Sequence, residues 1–133
     1  MTTLITLIRN TMKNIAIFGM LLVLAACSQT QLSHTDTAKV VVESFYNKDN
    51  VKLKNYTTAD SYASFMTIQN IVAPGDPEKK ASNFKLLNET IEGDIAWVQF
   101  TTSYEEKPET FKLTNESGDW KVMEMGLREK GPF

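Results

Sequence analysis

The chain has 133 residues, 42% of them hydrophobic, with 14 basic and 16 acidic side chains and one cysteine. That length accommodates a single domain of ordinary size. The acidic balance removes the electrostatic case for nucleic acid, which rests on phosphate neutralisation by Lys and Arg. A lone Cys excludes an intrachain disulfide and a cysteine-based metal site.

Arg9 and Lys13 flank the start of an apolar run that opens at Ile15, passes through Leu24-Ala25-Ala26 and ends on Cys27. Basic, then apolar, then small is the order of a secretory signal. The 12 residues from 15 to 26 fall short of the roughly 20 that a spanning helix needs. Leu24-Ala25-Ala26-Cys27 resembles the lipobox of bacterial lipoproteins. That resemblance implies diacylglycerol on the Cys27 thiol, cleavage before Cys27, and a partner in the lipid bilayer held by acyl chains, as with palmitate. Met12-Lys13-Asn14 would open a compact signal peptide by itself, so Met12 is a candidate true start. N-terminal sequencing of a precursor beginning at Met1 would refute this.

Removing residues 1–26 leaves 107 residues and takes Arg9 and Lys13 away, so 12 basic residues face 16 acidic ones, a net charge of −4. Residues 27–34 are polar and without period, and read as a tether. By the same resemblance, Ser28 after the acylated Cys permits export to the outer membrane of a Gram-negative envelope.

Residues 36–46 carry Ala38, Val41, Val42, Phe45 and Tyr46 on one helical stripe. Thr35 or Asp36 caps it. Val51, Leu53 and Tyr56 suggest a short second helix or turn. A third helix over 59–72 is capped by Thr57 or Thr58 and stopped by Pro74-Gly75. Tyr62, Phe65, Met66, Ile68, Ile71 and Val72 give it a broad apolar face. Strands are expected at 83–91, 95–104, 110–114 and 120–125, joined by turns at Gly93-Asp94, Lys107-Pro108 and Gly118-Asp119. Residues 127–133 read as a loose tail. The fold class is therefore α+β, with N-terminal helices packed on a curved four-stranded antiparallel meander.

Phe45-Tyr46, the aromatic third helix and the closing strand Gly118-Asp119-Trp120-Lys121-Val122 resemble the nuclear transport factor two-like superfamily, and within it small bacterial lipoproteins of unknown function. The resemblance spans 35–126. It implies a bent sheet wrapped around helices as a cone with an internal pocket, and, in the enzymes of that group, an Asp or Asp/His general base.

His34, the chain's single His, falls in the tether, so His catalysis and multi-His metal sites are not expected. Asp60 suits a first helical turn. Glu43, Glu105, Glu106 and Glu109 read as solvated. Glu124 alternates with Trp120 and Val122, and an inward Glu would be costly unless paired; it is the carboxylate expected to be perturbed. Tyr46, Tyr62, Phe65, Trp97, Phe100, Tyr104, Phe111 and Trp120 are core residues or, with Glu124, a pocket or interface. Trp97 and Phe100 must lie on opposite faces of one strand.

No phosphate loop, nucleophile elbow or cofactor motif is present. The expectation is an envelope lipoprotein, non-catalytic, binding a small apolar ligand or an envelope protein. The alternatives are an inhibitor or immunity-type lipoprotein and, less favoured, a small isomerase or dehydratase-like enzyme.

Overall fold

A computed structural model describes residues 31–76 and 80–133, which places Cys27 and the signal segment outside the described residues. Residues Gln31–Phe133 form one compact unit. Among the described residues three helices, α1 (His34–Tyr46), α2 (Asn50–Asn55) and α3 (Ala59–Val72), precede four strands, β1 (Lys85–Glu92), β2 (Ile95–Thr101), β3 (Glu109–Glu116) and β4 (Asp119–Met123). The strands form one antiparallel sheet in the order β1-β2-β3-β4. This is the α+β meander expected. No helix among the described residues is long and apolar enough to cross a membrane.

α1 begins earlier than its apolar stripe. Ser33, not Thr35 or Asp36, is the N-cap, and its hydroxyl accepts from the Asp36 amide at 3.0 Å. His34 therefore belongs to the helix rather than to a tether. Ala38, Val41, Val42 and Phe45 are all buried, as the period requires. The third helix matches its expected bounds, with Thr58 accepting from the Ser61 amide.

Opposed residues of the sheet share a face. Ile91, Ala96, Leu113 and Val122 form one row on the helix side; Glu89, Val98 and Phe111 form the next. Ala96, Val98, Phe100, Leu113 and Val122 join the α1 stripe and Leu53 in the core. Trp97, Lys112 and Met123 form a row on the opposite face. Ser117 and Gly118, with φ of 54° and 94°, make the tight β3–β4 turn.

Sheet edges differ. Beyond β4, the Thr58 amide donates to the Val122 carbonyl and the Val122 amide to the Tyr56 carbonyl, each at 2.9 Å. β1, the other edge, is exposed along all eight residues. β1 also begins two residues later than expected, and an irregularity between Leu86 and Asn88 shifts its register.

Candidate functional site: an apolar cleft beside α3

A chain of aromatic contacts builds the cleft. Phe45 of α1 meets Phe65 of α3 at 5.3 Å between ring centroids; Phe65 meets Phe111 at 6.0 Å; Phe111 meets Phe100 at 5.0 Å. Phe100 is buried, whereas Phe65 and Phe111 keep part of their surface open. Between α3 and the ends of β3 and β4 this leaves a cavity of about 220 Å³. Phe65, Ile68, Phe111, Val122, Met123 and Met125 supply its apolar wall; Ser61, Ser64, Thr110, Lys112 and Glu124 supply the polar part. Apolar walls with a few oriented polar groups are the composition of small-ligand sites.

Glu124 does not turn into the core. It lies just past β4, is exposed, and accepts a hydrogen bond from the Ser64 hydroxyl at the cleft. The strand ends at Met123, so the alternation that placed Glu124 inward no longer applies there.

The inward carboxylate is Glu109. It opposes Phe100 in the register and so points to the helix side. One carboxylate oxygen is buried without a hydrogen-bond partner among the described residues. Burial, then the charge of Glu105, pushes its pKa up to about 7. The expectation of a solvated hairpin end at 105–109 is corrected at this position. Nearby, Tyr46 and Tyr104 stack at 4.4 Å, and the Tyr46 hydroxyl donates to Glu105 at 3.0 Å. Burial, followed by the charge of Glu109, raises the Tyr46 pKa; burial, followed by Glu43, raises that of Tyr104. The sequence signal for Glu109 is its alternation with Phe111 and Leu113, which holds because β3 starts at Glu109 rather than at Thr110.

The nine candidate residues separate into several places. Phe65, Phe111 and Glu124 line the cleft. Tyr46 and Tyr104 form the stacked pair at the far end of α1. Phe100 is core. Tyr62 packs on the core beneath the Lys54 ammonium, 5.9 Å from its ring centre. Trp97 lies on the outer sheet face under Lys112, at 5.4 Å. Trp120 meets the His34 ring edge-on at 5.7 Å, and His34 Nε2 lies 2.7 Å from Glu89. Thr35 also donates to Glu89, and this hydrogen bond followed by the one with His34 lowers the Glu89 pKa. Among the described residues no group of three or more His, Cys, Asp or Glu is placed to hold a metal ion.

No protein-family model and no curated protein matches the chain. Among solved structures it is similar to a Campylobacter jejuni protein provisionally named an NTF2-like transpeptidase, at 18% identity. That match covers 68% of this chain and 96% of the other, with a TM-score of 0.47.

Proposed function

We propose that this protein is a lipid-anchored envelope lipoprotein whose α+β domain is a non-catalytic binding module. Its ligand, a small apolar molecule or an apolar side chain of an envelope protein, enters the cleft between α3 and the ends of β3 and β4. The observation that supports this is the apolar lining of that cleft by Phe65, Ile68 and Phe111. A cavity of about 220 Å³ is below the roughly 300–1,000 Å³ of drug-sized sites, so the fit is to one ring or one branched side chain. Anchoring rests on Leu24-Ala25-Ala26-Cys27. In a Gram-negative host the location is the periplasmic face of the outer membrane.

A second reading draws support from Glu109. An inward carboxyl titrating near 7 is suited to acid–base work, as in an isomerase or dehydratase. Glu109 does not line the apolar cleft, which favours the binding reading. An inhibitor would present free acids on the loop before β3, but Glu105 is engaged by Tyr46.

Two measurements test the proposal. Metabolic labelling with palmitate should mark the wild-type chain and not Cys27→Ser; equal labelling would overturn the anchor. An apolar fluorescent probe such as anilinonaphthalene sulfonate should bind the full chain, and Ile68→Glu should weaken binding about tenfold, a difference of about 1.4 kcal/mol. Unchanged probe affinity would show that the cleft is not the site.

A further inference from the structure

The last eight residues do not trail into solvent. After Gly126 the chain turns, with the Glu129 amide donating to the Gly126 carbonyl at 2.9 Å and the Gly126 amide donating to the Glu129 carboxylate at 3.0 Å. Glu129 then pairs with Lys112 on the outer sheet face. Two residues later, Gly131 lies flat on Trp97: a Cβ there would stand 3.2 Å from Thr110 Cγ2 and 3.5 Å from the Trp97 ring. The strap is held by a carboxylate and bare backbone. Leu127 is fully exposed, at 107%, and Phe133 is only half covered. A segment docked for stability alone would bury Leu127 as well, since apolar burial is the main source of stabilisation.

We propose that Trp97 and Lys112 form a peptide-docking site on the outer face of β2 and β3, and that the strap of residues 126–133 occupies it as a displaceable stand-in. The partner that takes its place is a peptide segment with a carboxylate two positions before a glycine, the spacing by which Glu129 meets Lys112 and Gly131 meets Trp97. The carboxylate answers the Lys112 ammonium, and the missing side chain allows backbone to lie on the indole. Lys112 is also part of the cleft wall, so the two surfaces adjoin, but this proposal does not depend on the cleft holding a ligand. The covalent link sets the terms of exchange. A short tether gives the strap an effective concentration in the millimolar range, so a free peptide competes poorly until the strap is loosened.

The test uses the full chain with Trp120→Phe, leaving Trp97 as the only Trp, and a synthetic peptide of sequence Gly-Leu-Arg-Glu-Lys-Gly-Pro-Phe. Glu129→Lys loosens the strap by charge repulsion, and Gly131→Val does so by steric contact. Each is expected to raise acrylamide quenching of Trp97 at least twofold and to bind the peptide about tenfold more tightly than the parent. A peptide with Lys replacing Glu should bind about tenfold more weakly. Three results would overturn the proposal: Trp97 equally protected in both variants, peptide binding indifferent to the carboxylate, or loss of the folded near-ultraviolet signal in both variants, which would make the strap integral to the domain.

Discussion

α1 and α3 carry comparable apolar stripes in sequence, yet the fold uses them in opposite ways. α1 buries Ala38, Val41, Val42 and Phe45 almost completely. α3 buries Ser61 and Gln69, and leaves Ile68, Ile71 and Val72 exposed at 43%, 78% and 42%. The reason is position. α1 lies against β2, β3 and β4, whereas α3 meets the sheet chiefly at the β4 edge. A short four-stranded sheet has one helix-facing surface, and α1 occupies its centre. α3 docks through Phe65 and through Gln69, whose amide donates to the Phe45 carbonyl at 2.8 Å and to Asn50 Oδ1 at 2.9 Å. Periodicity identifies residues that share a face; it says nothing about whether a second surface meets that face.

The largest expected effect falls on α1. Val42→Asp should abolish cooperative thermal unfolding, because an unpaired charge in the core costs several kcal/mol; a native melting curve would break the contrast at its stronger end. Next comes Gln69→Leu. It puts an apolar side chain of similar size in the helix but removes both donations, leaving the Phe45 carbonyl without that partner, and should cost about 1–3 kcal/mol by denaturant titration. Stability equal to wild type would mean that α3 is not fastened there.

A smaller effect concerns Glu109, next to the end of α1. Its folded pKa of about 7 stands above the ordinary value of 4.5. The unfolded chain therefore gives up this proton first as pH rises. The contribution of Glu109 to stability is full below about 4.5, declines up to about 7, and then stays at its lower level. The lowered pKa values of Glu89 and Glu129 act in the opposite sense, losing stabilisation as pH falls. The informative quantity is thus the difference between wild type and Glu109→Gln. The variant should gain in melting temperature relative to wild type between pH 5 and pH 8; a constant offset across that range would show that Glu109 ionises normally. The smallest effect is expected at Ile71→Ser. A residue this exposed should shift stability by no more than about 0.5 kcal/mol. A loss several times larger would mean that the stripe on α3 is covered in solution.

Much of the fold was legible because local chemistry and tertiary structure agree. Thr58 caps α3 and the loop at Pro74-Gly75 follows it, as their side chains and backbone preferences dictate. Gly93 and Gly118 turn the chain with positive φ. The alternation of Ala96, Val98 and Phe100 is read directly as the buried face of β2. The site was less legible. Of nine candidates, Phe65, Phe111 and Glu124 meet in one cleft, and Met123 and Met125, which complete it, carry no sequence signal apart from being apolar. The polar neighbours of His34 read as a tether, whereas the Ser33 cap starts α1 at His34 and brings it against Trp120 and Glu89.

By itself the sequence determined the order of helices and strands, the turns, the identity of the core stripe on α1, and the signal-like arrangement ending at Cys27. These depend on spacing and on residues a few positions apart. Tertiary structure alone decided that Glu109 rather than Glu124 points inward, that α3 leaves its apolar stripe open, and that the C-terminal strap lies over Trp97. Those outcomes depend on where strands end and which distant surfaces meet, and neither is encoded in any local period.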